Sequence, residues 1–380
     1  MNRQHIVALD SIPYYGGSKA SSATFLNELN KTGVDISVYS CNRASWTSAK
    51  FSSRIGQVKA CRAYSFSEFG FLSRAEQGLA YYLRHLLISL KLLLLIIKMR
   101  LINNTRTSAL VGTSGPGVDI AIYAVSYITG IPVIQLVHGP VAHSRLINLA
   151  LARAQLVIAL ESEIDQLRLR SKELTIVELK NGLAEHCWPS QRQVSFEKLR
   201  LYWCASLLKW KGLDVFIEAV KLAEHTACAE IHYIKPKNTE LSTSRAPVSH
   251  GNITAREQPH NLDLLRSQQN IFVSTSDNEP FGLSILEALA AGLLVVIPKD
   301  GAYWDQRLSD KQNCIKYPAG VTGLSRTISW MENNKSELEG IANAGRQQAD
   351  YYRAEYCFSD AVCAATKVLE QVKNSELSRA

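Results

Sequence analysis

The feature that most constrains this chain is an alternation of short apolar runs with longer helical patterns, which occurs twice. In the first half, residues 5–9, 35–39, 108–112, 132–137 and 155–160 each form an apolar run of five or six residues. Runs of that length, bounded by turn residues, read as buried strands. A helical pattern over 19–31 follows the first run and stops before Gly33. Strands alternating with helices imply a parallel sheet covered on both faces. In such sheets, ligands bind beyond the carboxyl ends of the strands.

The pattern lapses at 186–198, HCWPSQRQVSFEK, a polar stretch containing Pro189, which reads as a linker. A second alternation then follows. Strands are expected at 201–204, 230–234, 271–274 and 294–297, and helices at 212–224, 261–267 and 283–291. From Gly320 onward the chain reads as helical, with 335–348 and 351–372 as its later pieces. The predicted architecture is α/β: two doubly wound Rossmann-like domains, at 1–187 and 198–358, facing each other across a cleft. A C-terminal helix over 359–380 is expected to pack back on the first domain. The 380 residues are enough for two domains of ordinary size. With 46% hydrophobic and 20% charged residues, each can have a real core. No repeat or low-complexity tract appears, so neither a solenoid nor a disordered chain is indicated.

The opening MNRQHIVALD has no apolar run long enough for a signal peptide. The eight cysteines, at 41, 61, 187, 204, 228, 314, 357 and 363, show neither CxxC nor a metal-ligand spacing with His. They read as reduced thiols of a cytoplasmic protein. The net charge of +8 lies entirely in residues 1–190, while the rest of the chain is balanced. Such asymmetry fits an anionic partner for the first half, or a basic surface that only aids solubility. Within that half, 79–101 reads LAYYLRHLLISLKLLLLIIKMRL. Its interior Lys91 leaves the apolar runs too short for a spanning helix. The composition fits an amphipathic helix lying on an anionic membrane, and equally a buried helix with snorkelling lysines.

The strongest chemical signal is DNEPFGLSILEALAAG at 277–292. Pro280-Phe281-Gly282 marks a loop-to-helix entry, with Glu279 just before the helix and Glu287 about a turn inside it. Between Phe281 and Ile297 only Ser284 and Glu287 carry strongly polar side chains. A lone carboxylate in such surroundings is costly unless something binds it. Sugar and ribose hydroxyls suit it, since a carboxylate accepts two of them. The free N–H groups at the helix start favour a phosphate nearby.

These residues resemble the family 4 glycosyltransferases, whose motif is two glutamates eight positions apart in a Glu-x-Phe-Gly…Glu-Ala-x-Ala-x-Gly frame. Other matches occur in the family's order: Gly16-Gly17 after the first strand, Val137-His138-Gly139 at a strand end, Lys180-Asn181-Gly182 before the linker, and Lys211-Gly212 opening the second domain's first helix. The resemblance implies the GT-B fold and a retaining hexosyl transfer from a nucleoside-diphosphate sugar, with no cofactor and no protein metal site. It implies that Glu279 contacts the donor sugar, Glu287 the ribose, and Phe281, Gly282 and Leu283 the diphosphate or sugar through their backbone N–H groups. His138 takes the family's cleft histidine position, and Gly16 and Gly17 the loop approached by acceptor or phosphate. No Asp-x-Asp is present, so cationic side chains and helix N-termini must neutralise the leaving diphosphate.

The sequence departs from the family in four places. Ser206 stands where an arginine is usual, Lys235-Pro236-Lys237 replaces a glycine-rich turn, Leu293-Leu294 replaces Pro-Val, and Leu160-Glu161 stands where a serine is common. Without the arginine, Lys211 is expected to bind the diphosphate and Lys209 to supply part of the missing charge. His143 and Arg145 follow His138 and are candidates for the acceptor side. Trp203, Trp210 and Trp304 could stack on a sugar or base, but core packing is the commoner use. The reading is thus transfer to a lipid-linked or polysaccharide acceptor, in the cytoplasm and at the inner face of an anionic membrane. Nucleic acid is not an expected partner, because the positive charge comes with no recognised motif. The rivals are a catalytically silent partner of the same fold, motivated by Ser206, and an epimerase or phosphorylase built on it.

Overall fold

The computed structural model describes residues 3–12, 16–43, 46, 62–65, 78–171, 173–190, 194–223, 227–236, 241–249, 251–259 and 261–378. Cys61, Glu224 at the end of one predicted helix, Lys237 of the Lys-Pro-Lys turn and 191–193 of the linker lie outside them. The chain divides into two compact units, Met1–Cys187 with Ala354–Ala380, and Trp188–Arg353.

The first unit is built on seven parallel strands: β1 (His5–Asp10), β2 (Asp35–Ser40), β3 (Arg62–Ser65), β4 (Thr107–Gly112), β5 (Val133–Val137), β6 (Ala154–Ala159) and β7 (Ile176–Glu178), in the order β3-β2-β1-β4-β5-β6-β7. The five expected strands all form. The two edge strands β3 and β7 were not legible, because RAYS and IVE are too short to carry a pattern. Among the described residues five helices alternate with them: α1 (Gly17–Lys31), α2 (Gly78–Ile102), α3 (Ile120–Thr129), α4 (Arg145–Arg153) and α5 (Glu161–Arg170). β1 is buried along its whole length, as a central strand covered on both faces must be. Its Val7 and Leu9 share a core with Ile88 and Leu92 of α2 and Ile122 and Val125 of α3.

The second unit repeats the plan on six parallel strands: β8 (Leu199–Ser206), β9 (Ala227–Ile234), β10 (Ile253–Glu257), β11 (Ile271–Val273), β12 (Leu294–Pro298) and β13 (Ile315–Tyr317), in the order β10-β9-β8-β11-β12-β13. Its helices are α6 (Leu213–Leu222), α7 (Leu262–Arg266), α8 (Leu283–Ala290), α9 (Tyr303–Arg307), α10 (Val321–Asn333) and α11 (Lys335–Ala349). The edge strands β10 and β13 again escaped the pattern. Trp203, Phe216, Ile231, Leu294 and Leu324 belong to its core.

The single helix expected over 351–372 is interrupted. A 3-10 turn at Asp350–Tyr352 and an extended Arg353 precede α12 (Ala354–Cys357) and α13 (Ser359–Leu377). Both belong to the first unit. There α13 packs on α1, β6 and β7, Ala354 N–H donates to Leu183 O at 2.9 Å, and Gln4 Nε2 donates to Leu369 O at 2.6 Å.

In both sheets the chain leaves the middle in opposite directions, so each has a topological switch point: between β1 and β4, and between β8 and β11. Crevices form at the carboxyl ends of such strand pairs. The residues singled out from sequence gather at these two places.

Candidate functional site

At the switch point of the second sheet, the loop after β8 crosses the loop after β11. Thr275 Oγ1 donates to Lys211 O at 2.9 Å and accepts from Trp203 Nε1 at 2.9 Å, while Asp277 N–H donates to Trp210 O at 2.8 Å. The crossing explains Gly212: its φ is +71°, and a Cβ there would lie 2.0 Å from Thr275 O. No other residue fits without moving the backbone. The same crossing brings Lys211 Nζ onto Glu279 Oε2 as an ion pair, with side-chain exposures of only 17% and 13%. Lys211 also lies over the Trp210 ring, 3.9 Å from its centroid.

Gly282 makes the turn from this loop into α8. Its φ is +74°, and a Cβ would lie 2.9 Å from Glu279 Cγ, so the glycine lets the carboxylate fold back over the helix start. Phe281 is buried and packs on Tyr303 and Trp304, with ring centroids 4.8 and 5.4 Å away. Its side chain therefore anchors the loop. Ile285 N–H donates to Gly282 O at 2.9 Å, whereas the N–H groups of Leu283 and Ser284 precede the first helical hydrogen bond, as at any helix start.

Glu287 requires a correction. The sequence presented it as a carboxylate without a protein partner, but Arg266 of α7 is ion-paired to its Oε2. Arg266 is 4% exposed and also contacts Asp263 Oδ1 at 2.9 Å. Glu287 itself stays partly exposed, at 28% for its side chain. Sequence reading missed Arg266 because α7 is a separate short helix, 21 positions upstream. The available signal was an arginine in a helix whose sheet-facing side must be apolar.

Lys209 is exposed and ion-paired to Asp214, which also accepts from Ser244 Oγ at 3.2 Å. Ser206 ends β8, in register with Ile234. Lys235, in the turn that replaces the glycine-rich one, is paired with Glu257 at 2.6 Å. Of the three tryptophans, Trp203 and Trp304 are buried and Trp210 alone is exposed.

At the switch point of the first sheet, α1 starts from Gly16, an extended N-cap, with Gly17 as its first residue. His138 follows β5 directly, and its Nε2 lies 2.8 Å from Ser22 Oγ on α1. Ser22 Oγ donates to Thr113 O at 2.9 Å. Burial holds the His138 imidazole down at about 4, although Thr113 O favours its charged form. The ring is therefore neutral near pH 7. Gly16, Gly17 and His138 thus share one end of the sheet, and His143 and Arg145 beyond it are exposed.

Sequence reading missed the polar core beneath these residues. Asp10 at the end of β1 and Lys19 on α1 form a buried ion pair of 2.9 Å, with side chains 2% and 1% exposed. Ser40 Oγ and Trp46 Nε1 each donate to Asp10 Oδ2 at 2.7 Å, and Lys19 Nζ donates to Ile12 O at 2.7 Å. Beside it, Asp119 Oδ2 accepts from Ser114 N–H, Gly115 N–H and Gln135 Nε2. Burial still pushes the Asp119 carboxyl up to about 7. The signal was Gln135, a polar residue inside the apolar run PVIQLV. Among the described residues, no group of three His, Cys, Asp or Glu side chains could hold a metal ion.

Comparison with known proteins follows the same division. Residues 191–348, within the second unit, match the family described as "Glycosyl transferases group 1". No curated protein matches the chain. Among solved structures, HepE of Anabaena in complex with UDP-glucose superposes with a TM-score of 0.68 at 14% identity, covering 99% of this chain and 100% of that one. Sucrose-phosphate synthase of Thermosynechococcus elongatus gives 0.70 at 12% identity, covering 98% and 100%. A glycosyltransferase of Rickettsia africae gives 0.66 at 12%, covering 98% and 99%. At such identities the likeness is one of fold: the whole chain has the GT-B fold, and its second unit is similar to the group 1 glycosyl transferases.

Proposed function

We propose that this protein is a glycosyltransferase that moves a hexosyl group from a nucleoside-diphosphate sugar, held by the second unit, with retention of anomeric configuration. The observation that carries the reading is the Lys211–Glu279 ion pair, set at the switch point and beside the N-terminus of α8. A donor presents a diphosphate and a sugar side by side. On binding, the Lys211 ammonium would pass from Glu279 to the diphosphate, and the Glu279 carboxylate from Lys211 to the sugar hydroxyls. Neither charged side chain is thus left without a polar partner before or after binding, and the diphosphate charge that Lys211 does not meet falls to the helix N-terminus and Lys209. The N–H groups at Phe281, Gly282 and Leu283 would face the diphosphate or sugar, adding fixed positive charge where the leaving group develops its own. Glu287, with Oε2 held by Arg266, has Oε1 left for the ribose hydroxyls. HepE binds UDP-glucose, so a UDP-sugar is the first donor to test.

The acceptor would be held by the first unit, at the end carrying Gly16, Gly17 and the neutral His138, and a lipid-linked or polysaccharide acceptor fits its basic charge. In this reading, transfer takes place in the cytoplasm and uses no further cofactor. A thermal-shift series with UDP-, GDP- and ADP-sugars tests the donor site. A ligand at about 100 times its Kd stabilises by about 2.7 kcal/mol. No shift with any of the three would remove the donor reading. Binding without donor hydrolysis or transfer would favour the silent partner suggested by Ser206.

A further inference from the structure

Helix α2 buries one face and leaves the other bare. Ile88, Leu92, Ile96 and Met99 enter the core of the first unit. On the opposite side Leu83, Leu86, Leu90, Leu94, Ile97 and Leu101 are between 42% and 77% exposed. Their spacings of three and four align them in one stripe, which runs about 27 Å at 1.5 Å per residue. Solitary exposed leucines need no explanation, but a continuous apolar ridge on a folded unit marks an interaction surface.

Charge identifies the occupant. No Asp or Glu occurs between Gln77 and Val118. At 100° per residue, the exposed Lys98 and Arg100 flank the stripe on opposite sides. A second copy of this helix face would set the same basic flanks against each other with no acidic residue of α2 to answer them. An anionic lipid surface answers both parts, with acyl chains for the stripe and phosphates for the flanks. No described helix is long and apolar enough to cross a membrane. Because its other face is packed in the core, α2 can only lie along a surface.

We propose that α2 docks the first unit onto an anionic phospholipid surface, with the stripe at the headgroup–acyl boundary and Lys98 and Arg100 on lipid phosphates. This surface belongs to a different unit from the donor site and does not depend on the glycosyl-transfer reading. The test is cosedimentation of the full chain with phosphatidylcholine vesicles containing phosphatidylglycerol, at low salt. The wild type is expected to sediment with them and to be released as salt rises. Lys98→Gln with Arg100→Gln should weaken binding about thirtyfold, each charge near the surface contributing about 1 kcal/mol. Leu86→Gln with Leu90→Gln and Leu94→Gln should weaken it tenfold or more, with an unchanged circular dichroism spectrum and unchanged nucleotide-sugar binding. The proposal is overturned if the wild type ignores the vesicles, or if the folded stripe variant binds them as the wild type does. It is equally overturned if ultracentrifugation shows a dimer that the stripe variant dissolves, which would assign the face to a second copy.

Discussion

Glu287→Gln is expected to lower stability as well as donor binding, and the two effects can be separated. The carboxylate is the counter-charge of Arg266, a guanidinium 4% exposed. Its other acidic partner, Asp263, is 73% exposed and therefore screened by solvent. Removing one member of a fully buried pair costs about 3–5 kcal/mol. Here glutamine keeps an acceptor oxygen and Asp263 remains, so a loss of about 2 kcal/mol is expected, within the range of charge-assisted hydrogen bonds. For a unit of this size, that lowers Tm by about 4–8 °C. Arg266→Met combined with Glu287→Gln leaves no stranded charge and should recover most of the loss, giving a coupling energy above about 1 kcal/mol. Donor affinity should stay about tenfold or more below wild type in both the single and the double variant, because the ribose contact is missing in each. Thermal denaturation and nucleotide-sugar titration of the four proteins read the two effects independently. An unchanged Tm in Glu287→Gln, or a double variant as unstable as the sum of the singles, would refute the argument.

Glu279→Gln should lower transfer about tenfold or more, and Lys211→Ala should weaken nucleotide-sugar binding strongly, by the 1.5–3 kcal/mol of a charged hydrogen bond; near-normal transfer and binding would place the diphosphate elsewhere. Ser206→Arg should preserve or raise donor affinity in an equilibrium titration, whereas Lys209→Ala should lower it only moderately, since Lys209 is exposed and paired to Asp214. His138→Ala should reduce turnover more than donor affinity, and normal transfer would return this residue to a structural role. His138 also predicts a pH dependence. Its folded-state value of about 4 lies below that of an unfolded histidine, so the unfolded chain takes up a proton between about pH 6.5 and 4 that the folded chain refuses. Stability is therefore lost as pH falls through that window, by about 3 kcal/mol from this residue, and His138→Asn should remove that share in denaturant titrations at the two ends. Asp119, raised to about 7, acts with the opposite sign: its contribution is present below the unfolded carboxylate value and is lost as pH rises through about 7.

Sequence alone determined much of this protein. Central strands such as His5–Asp10 and Leu294–Pro298 are buried on both faces, so they had to be continuous apolar runs and were legible as such. Gly212 and Gly282 were legible as motif members because each occupies a left-handed backbone position pressed against a neighbour, which leaves no other residue a place. Edge strands of three to five residues, such as Ile176–Glu178 and Ile253–Glu257, were not, since pairing on one side asks little of their side chains. Tertiary structure alone decided which charges meet. Lys211 and Glu279 are 68 positions apart, Arg266 and Glu287 are 21 apart, and the buried Lys19 of α1 closes on Asp10 at the end of β1. Local periodicity records only whether a side chain faces the core or the solvent. The partner of a charge is set by which loops the parallel sheet brings together at its switch point, and no short-range pattern encodes that. The same limit held for 79–101, where composition allowed both a buried helix and a surface one. Packing against β1 and α3 decided only that the helix has one buried and one exposed face.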